Sequence, residues 1–316
     1  MIKVTLLGTG GTMPLPERAL TALCVRYQGH NFLIDCGEGT QVQLRRAGIS
    51  IHDIDVILIT HFHADHVTGL QGLLLSMSKS ERKETVRIIA PKGAADIIRC
   101  LCVTAPAMPF PINIIEIVKT YDTFDLFGMK VAAQKAEHSV VCYAYSMQIE
   151  RRGRFMPERA MALGIDKNKW KLLQQGQIVD GISPNDVLGA PRKGLKLTYC
   201  TDTRPTAALT ELAIGSDLFI CEGMYADMEK LSMAREKKHM MFSEAAETAK
   251  NAQVKELWLT HFSPSLRDVY SYVDYASELF PNTLIPHDLQ TVELVFDDEA
   301  APSNGSTSEI RVPSFS

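Results

Sequence analysis

A short stretch of the sequence concentrates residues that bind metals. The segment LITHFHADHVTGLQG, residues 58 to 72, places three of the chain's nine histidines and an aspartate within six positions, straight after an apolar run. His61 and His63 should point to the same side, because side chains alternate along an extended segment. Asp65 and His66 then lie where the chain is predicted to turn into a helix. Such a cluster is costly without a cation, and imidazole with carboxylate suits two adjacent ions of zinc, manganese or iron.

Three further candidate ligands follow other apolar runs. His138 comes after KVAAQKAE, Asp202 after LKLTYCT and His261 after ELWLT. An open α/β architecture gathers its active site at the ends of its strands, so these side chains are expected to meet the first cluster. The predicted ligands of one metal are His61, His63 and His138. Those of the other metal are Asp65, His66 and His261, and Asp202 is predicted to bridge the two.

The elements that must position these residues are short strands alternating with helices, which predicts an α/β domain. Apolar runs predict strands at residues 4–8, 22–27, 31–37, 55–61, 87–90, 129–138, 141–150, 195–202, 217–223, 256–262, 283–288 and 291–296. Helical patterns cover residues 38–48, 67–80 and 242–253, and another follows PKG at 91–93. The glycines of LLGTGGT, residues 6–12, predict a tight turn near the metal site rather than a dinucleotide-binding loop, since the full G-x-G-x-x-G is not there.

Composition sets the broad class. With 316 residues, 46% apolar and 22% charged residues and a net charge of −4, the chain has the make-up of an ordinary globular protein without a global basic field. Its seven scattered cysteines form no C-x-x-C and predict buried, reduced thiols. The first apolar run is too short for a signal peptide, and no run is long enough for a membrane span. We therefore predict a cytoplasmic location.

Two segments depart from this pattern. Residues 151–186 are polar and locally basic, and they interrupt the succession of strands, so they are interpreted as an insertion. Residues 297–316 are low in apolar content and predict a disordered tail. The main domain is thus predicted to span residues 1–296.

The metal-binding pattern identifies a family resemblance. H-x-H-x-D-H with later His, Asp and His strongly resembles the metallo-β-lactamase superfamily, and this implies an αββα sandwich carrying an inserted basic arm. Within that superfamily the sequence is similar to the ribonuclease Z family, the tRNA 3′-processing endonucleases, up to about residue 296. The most specific matching stretches are FLIDCGEGTQ at 32–41 and GAPRKGLKLTYCTDTRP at 189–205, and LTHFS at 259–263 adds to them.

The resemblance implies roles for the site residues. Two divalent ions, with zinc favoured over manganese, would activate water for attack on a phosphodiester, and Asp65 would orient and deprotonate that water. His239 would protonate the leaving oxygen, with Glu222 holding its proton. The family's His-Glu-Ala-Thr becomes CEGM at 221–224 and its His-Ser-Thr becomes HMM at 239–241. The alternative for His239 is a surface histidine at a helix start. Asp35 either supports a ligand histidine or caps a helix.

The insertion matches the position of the family's tRNA-gripping arm. Its GRF…ALG pattern is present, but DKNKWKLL replaces the glycine–proline tip. A basic arm with Phe155 and Trp170 could contact phosphates and stack on bases, and the alternative is an insertion whose charges only keep it in solution. The resemblance also implies a homodimer in which one subunit's arm presents tRNA to the other subunit's site.

Three functions follow. The first is endonucleolytic removal of the 3′ trailer from tRNA precursors, which leaves a 3′-hydroxyl on the tRNA. The second, suggested by the altered His239 loop and arm tip, is hydrolysis of small or cyclic phosphodiesters. The third, a non-catalytic RNA-binding scaffold, is least favoured because all seven candidate ligands are present.

Overall fold

The computed structural model describes residues 1–105 and 107–297, whose strands form two sheets of seven. The predicted tail lies outside the described residues except for Asp297. The strands, in chain order, are β1 (Ile2–Gly8), β2 (Ala22–Tyr27), β3 (His30–Ile34), β4 (Ile54–Leu58), β5 (Val86–Pro91), β6 (Ile112–Ile117), β7 (Tyr121–Leu126), β8 (Met129–Lys135), β9 (Tyr143–Arg151), β10 (Arg192–Cys200), β11 (Leu218–Glu222), β12 (Leu257–Thr260), β13 (Thr283–Leu284) and β14 (Gln290–Leu294).

Each sheet combines antiparallel and parallel pairing. The first has the order β14-β1-β2-β3-β4-β5-β6 and the second β13-β12-β11-β10-β9-β8-β7. β3 to β6 are parallel to one another, as are β10 to β13, whereas the remaining neighbours are antiparallel. The parallel parts matter for function, because their carboxyl ends lie along one edge of each sheet.

The two sheets face each other across one apolar core, and the alternation of side chains explains why. In β3, Phe32 and Ile34 enter the core between the sheets, whereas Leu33 enters a second cluster on the outer face. In β12, Trp258 faces inward and Leu257 outward. Strands that are apolar on both faces can only be buried on both faces, so helices must cover the outside.

Helices cover both outer faces and complete an αββα sandwich. The helices are α1 (Thr40–Arg46), α2 (Ala64–Val67), α3 (Leu70–Lys79), α4 (Ala94–Leu101), α5 (Pro157–Ala162), α6 (Trp170–Gln174), α7 (Pro184–Val187), α8 (Ala207–Ala213), α9 (Leu231–Lys237), α10 (Phe242–Asn251) and α11 (Asp274–Ser277). α1, α3 and α4 cover the first sheet, and α8, α10 and α11 cover the second. Within the described part of the chain, no helix has the length and apolar character to cross a membrane.

The insertion forms a small body of its own between β9 and β10. It carries α5, α6 and α7, whose core is built from Ala160, Ile165, Leu173, Val179 and Val187. The backbone closes at its base, where Gly189 N donates to Arg154 O over 2.8 Å and Met156 N to Val187 O over 2.8 Å. The inserted segment therefore leaves and re-enters the sheet through a narrow neck.

Two aromatic side chains of the insertion pack against its own core. Phe155 and Trp170 pack against each other with ring centroids 5.1 Å apart, and both contact the insertion's core. The indole Nε1 of Trp170 also donates to Ile165 O over 3.0 Å. Both rings therefore stabilise the arm, and both remain partly exposed.

Two strands were missed by the sequence patterns, and several were predicted too long, most of all the one at 283–288. β7, with the sequence YDTFDL, alternates exposed and partly buried residues because it is an edge strand with one face exposed. β6 lies at the edge of the other sheet. The run predicted at 283–288 is a strand only at Thr283–Leu284. Its last residue, Asp288, lies beyond the strand and accepts hydrogen bonds near the site.

Candidate metal centre

The parallel strands deliver polar side chains to one rim of the sandwich. Ile34 pairs with Leu58 near the ends of β3 and β4, so Asp35 and the loop after β4 leave the sheet side by side. In the second sheet Cys200 pairs with Cys221 and Glu222 with Thr260. These paired strand ends bring together three polar residues that are far apart in sequence, Asp202, Glu222 and His261.

Hydrogen bonds join the two sheets at this rim. The amide of Tyr143 donates to Thr60 O over 3.0 Å, and the hydroxyl of Tyr145 donates to Ile59 O over 2.7 Å. Both tyrosines belong to β9 in the second sheet, whereas Ile59 and Thr60 follow β4 in the first. The histidine-rich segment that begins at His61 is thus held against the opposite sheet.

Three site residues have left-handed backbone conformations. The φ angles are 59° at Asp35, 50° at Asp202 and 57° at His261. Non-glycine residues rarely adopt positive φ, and they do so at a free-energy cost of about 1–3 kcal/mol each. Each residue directly follows a strand or lies two positions beyond it, so the left-handed turn aims its side chain back over the strand ends. Strain of this kind is typical of functional sites.

The first predicted ligand group converges as expected. His61 Nε2 lies 2.9 Å from His63 Nδ1, and His138 Nε2 lies 3.3 Å from His63 Nδ1. Asp202 Oδ1 lies 3.7 Å from His61 Nε2 and 3.6 Å from His138 Nε2. These four donor atoms come from β4, β8 and β10 and form one compact group.

The second predicted group lies on the other side of Asp202. His66 Nε2 is 3.2 Å from His261 Nε2, and Asp65 Oδ2 is 3.3 Å from His261 Nε2 and 3.5 Å from His66 Nε2. Asp202 Oδ2 lies 3.2 Å from both His66 Nε2 and His261 Nε2. The two oxygens of Asp202 therefore face different groups, as a bridging carboxylate requires.

The chemistry of this donor set fits divalent cations. For a tetrahedral ion with nitrogen or oxygen ligands at about 2.1 Å, donor atoms are separated by about 3.4 Å, which is within the range seen in both groups. Two buried atoms, Asp202 Oδ2 and His261 Nδ1, lack hydrogen-bond partners in the described part of the chain. Carboxylates and imidazole lone pairs aimed at one another are stable only when positive charge lies between them.

Electrostatics separates these histidines into two kinds. Burial lowers the pKa of His61, His63 and His138, so their neutral rings can offer lone pairs at neutral pH. At His66 burial also opposes the charge, but the carboxylates of Asp202 and Asp35 prevail and raise its pKa well above the usual range. This end of the site therefore attracts positive charge. Burial likewise opposes ionisation of Asp65, yet hydrogen bonds from His261 and His66 hold its pKa below the usual range.

Asp35 supports a candidate ligand rather than a helix end. Its Oδ2 lies 2.8 Å from His66 Nδ1, and its Oδ1 accepts the amide of Thr60 over 2.8 Å. An imidazole that donates from Nδ1 presents its Nε2 lone pair to the site. Asp35 therefore selects the tautomer and the orientation of His66.

The glycine-rich turn at residues 6–12 closes the site near His261. A Cβ atom on Gly11 would lie 2.7 Å from the His261 ring, so only glycine fits there. The amide of Thr12 donates to Asp65 Oδ2 over 2.6 Å. Asp288, which the sequence patterns did not single out, holds this turn by accepting the amides of Thr9 and Ala19 over 3.0 and 2.6 Å. The turn expected near the metal site thus lies against two candidate ligands, Asp65 and His261.

His239 and Glu222 form a buried pair beside the candidate ligands. His239 Nδ1 lies 2.9 Å from Glu222 Oε2 and 3.8 Å from Asp202 Oδ1. The His239 side chain is 12% exposed and that of Glu222 is fully buried, so the surface-histidine alternative does not hold. Burial alone would lower the pKa of His239, but the carboxylate of Glu222 outweighs it and raises that pKa to about 9.

Arg204 fixes the loop that carries His239, a role that sequence reasoning missed. Its guanidinium donates to His239 O and to both carboxylate oxygens of Glu244. Glu244 Oε2 also accepts the amide of Met241 over 3.0 Å. Arg204 lies within the DTRP stretch at 202–205, so its proximity to Asp202 was the available signal.

The residues that depart from the family patterns pack below the site. Met240 and Met241 are fully buried, and Met241 belongs to a cluster with Met224, Tyr225 and Ala234. A Cβ atom on Gly223 would lie 2.7 Å from the ring of Phe242. Glycine at this position and phenylalanine at the start of α10 are therefore mutually dependent. The altered loops form an apolar support for α9 and α10.

A cavity of about 640 Å³ opens above the ligand groups. Its lining includes the candidate ligands His63, Asp65, Asp202 and His261 together with His239. Tyr225 and residues of α9 form another part of the wall. A volume of this size accommodates one or two nucleotides or a comparable ligand.

Comparisons with known proteins identify relatives of the whole chain. Ribonuclease Z of Agathobacter rectalis is 50% identical over 303 residues, which are 95% of this chain and the whole of that protein. Among solved structures, human tRNase Z short form (ELAC1) aligns with a TM-score of 0.69 at 24% identity over 93% of this chain and all of that one. The metallo-β-lactamase fold protein YhfI from Bacillus subtilis aligns with a TM-score of 0.67 at 19% identity over 92% of this chain and 98% of that one. The predicted fold class is thereby confirmed.

A family model covers the first half of the chain only. The model described as Anti-Pycsar protein Apyc1 matches residues 2–155. This range contains the histidine-rich segment and His138, and it ends where the insertion begins. Asp202, Glu222, His239 and His261 lie outside the match.

Proposed function

Because the chain belongs to the ribonuclease Z family, we propose that it is a metal-dependent endoribonuclease that removes the 3′ trailer from tRNA precursors. The observation that supports this most is the His239–Glu222 pair, whose histidine lines one cavity together with members of both groups of candidate metal ligands. Such a pair is needed when a poor leaving group, the 3′-oxygen of a nucleoside, must be protonated. A metal-ligand set alone would fit many hydrolases.

The residues would divide the work as follows. One divalent ion would be held by His61, His63 and His138. A second would be held by Asp65, His66 and His261, and Asp202 would bind both ions. The number of histidines in this set favours zinc. When bound, such ions supply Lewis-acid stabilisation of the phosphate charge and lower the pKa of the attacking water. Asp65, held by the amide of Thr12, would orient that water and accept its proton.

His239 would complete the cleavage as general acid. Its Nδ1 is bonded to Glu222, which leaves Nε2 as the nitrogen that can reach a substrate in the cavity. The Glu222 carboxylate outweighs the effect of burial and raises the pKa of His239 to about 9. Nε2 is therefore protonated at neutral pH. The proton would pass to the 3′-oxygen of the tRNA as its bond to phosphorus breaks, which leaves a 3′-hydroxyl on the tRNA and a 5′-phosphate on the trailer.

The insertion is the proposed contact for the body of the tRNA. Residues 151–186 hold seven Arg or Lys residues and four Asp or Glu residues, in a chain whose net charge is negative. The insertion joins the main domain through the narrow neck, and in this proposal it would contact RNA beyond the cleavage site. In the proposed homodimer the arm of one subunit would serve the site of the other. The molar mass in solution tests the dimer directly.

A second candidate function is hydrolysis of small or cyclic phosphodiesters. It is favoured by Met224 and Met233, which give part of the cavity wall an apolar surface. A small diester would need neither the arm nor extended contacts outside the cavity. The two candidates therefore differ in their dependence on the insertion.

The deciding experiment compares three substrates in the presence of zinc or manganese. A tRNA precursor with a short 3′ trailer, a cyclic nucleotide and bis(p-nitrophenyl) phosphate are incubated with the wild-type protein and with His66→Ala. A single cut at the 3′ end of the tRNA, lost in the variant, supports the proposed function. Hydrolysis of the small diesters without a cut in the precursor refutes it and supports the second candidate.

A further inference from the structure

One face of α9, together with the residue that precedes the helix, forms a wall of the cavity and carries two lysines. Lys230, Met233 and Lys237 all line it. Their spacing of three and then four residues places them on a single face of the helix. The opposite face is anchored, because Ala234 is fully buried in the cluster that includes Met224 and Tyr225. The helix therefore presents these three side chains from a fixed support.

The two lysines carry positive charge that no described residue pairs. Both side chains are exposed, and neither forms an ion pair with a described residue, whereas α9's neighbour Lys238 donates to His138 O over 3.4 Å. Exposed ammonium groups at the mouth of a cavity are free to meet an anionic ligand. The acidic candidate ligands below them would otherwise disfavour approach of a polyanion.

The distance along the helix limits what the lysines can bind. Seven residues of α-helix span about 10 Å, so Lys230 and Lys237, when their side chains extend in parallel, meet two different phosphates. A small or cyclic phosphodiester carries a single phosphate. A nucleic acid strand offers a phosphate at every nucleotide.

We propose that Lys230 and Lys237 bind the phosphates that flank the scissile bond of an RNA strand, and that Met233 between them contacts a base. This inference rests on the proposed function and extends it, since it identifies how a polymeric substrate is recognised at the site itself, apart from the arm. Lysine contacts phosphate as a point charge without sequence preference. The thioether of Met233, with 37% of the residue exposed, supplies an adaptable apolar surface beside them.

The test uses matched variants on the same helix. Lys230→Ala, Lys237→Ala and the double variant are compared with Lys230→Arg and Lys237→Arg, which keep the charge. Arg235→Ala removes a charge from α9 at an exposed position outside the cavity lining and serves as control. Tm is measured for each variant, so that any unfolding is detected before the kinetics are compared.

The readouts are KM and kcat for a tRNA precursor, and the binding of a fluorescent single-stranded RNA of trailer sequence at several salt concentrations. Each alanine variant is expected to raise KM roughly fivefold with little change in kcat, as expected for one lost charge-assisted contact. The slope of log K against log salt should fall by about 0.7 for each lysine removed. The arginine variants and Arg235→Ala should resemble the wild type.

The outcomes separate this inference from the proposed function. If the wild type cuts the precursor but the alanine variants keep its KM and salt slope, the inference is overturned and the proposed function stands. If the wild type makes no cut, the proposed function fails; the lysine contacts are then supported if RNA binding shows the lowered slopes and refuted if it does not. A loss of binding that Arg235→Ala shares would also refute a specific role for the cavity-facing lysines.

Discussion

Replacing His239 by asparagine should separate two substrates by whether their leaving group needs a proton. The asparagine amide can still donate to Glu222 from the position of Nδ1, so the buried carboxylate keeps a partner. It cannot donate a proton from the position of Nε2. A tRNA precursor releases a 3′-oxygen that needs a proton, whereas p-nitrophenolate is stable without one. His239→Asn should therefore impair the first reaction and spare the second.

The size of the effect follows from the local electrostatics. With a pKa of about 9, held up by Glu222 against burial, roughly 97% of His239 carries its proton at about pH 7.5. Almost all wild-type molecules are then competent as acids. Loss of a positioned general acid lowers a rate by about 10²–10⁴-fold, so kcat for precursor cleavage should fall by that factor. The rate with bis(p-nitrophenyl) phosphate should change less than about threefold.

The pH dependence provides a second readout with a defined sign. The acid form of His239 is present below its folded-state pKa and is lost as the pH rises through about 9. Wild-type kcat for the precursor should therefore decline above about pH 9, and this decline should be missing from the residual activity of His239→Asn. Glu222→Gln removes the charge that raises the pKa, so the decline should begin at lower pH.

The assay is single-turnover cleavage of a labelled precursor beside spectrophotometric release of p-nitrophenolate, both at saturating metal. Bound metal is measured by elemental analysis for each variant, which excludes a trivial loss of the ions. Equal losses on both substrates would refute the role of His239 as general acid, and would indicate that it shapes the metal centre instead. An unchanged precursor rate would refute the reasoning altogether.

Two further substitutions and one deletion test other parts of the protein. Asp35→Asn should weaken metal binding by about 10–100-fold, because the partner that orients His66 is lost; titration of the chelated protein with zinc checks this, and unchanged affinity contradicts it. Gly223→Ala should cost about 1–3 kcal/mol of unfolding free energy through the clash with a buried ring, while Gly189→Ala, which meets no atom closer than 3.5 Å, should leave Tm nearly unchanged. Deleting residues 154–188 and joining the chain at the neck should abolish precursor cleavage but spare bis(p-nitrophenyl) phosphate, and equal losses of both would show that the arm supports the fold.

The sequence determined much of this protein by short-range patterns. Alternating and continuous apolar runs located most strands, since the two-residue period of a strand is written directly into its side chains. The pattern H-x-H-x-D-H needed no tertiary information, because two of its imidazoles necessarily share one side of an extended segment. His138, Asp202 and His261 could be proposed because each follows an apolar run, and parallel strands end at a common edge.

Tertiary structure decided how those residues meet. Asp35, Asp202 and His261 take positive φ angles, which no propensity predicts, because their strain is offset only by contacts across the rim. Two contacts join residues that are remote in sequence: the ion pair between Arg204 and Glu244, and the packing of Gly223 against Phe242. Neither contact can be predicted from the local sequence around one partner. Phe155 and Trp170 could be proposed for RNA contact from their residue types, but only the structure showed that they also pack against the arm's core. Residue types and local spacing are readable along the chain, whereas partners, burial and backbone strain depend on which distant segments the two sheets bring together.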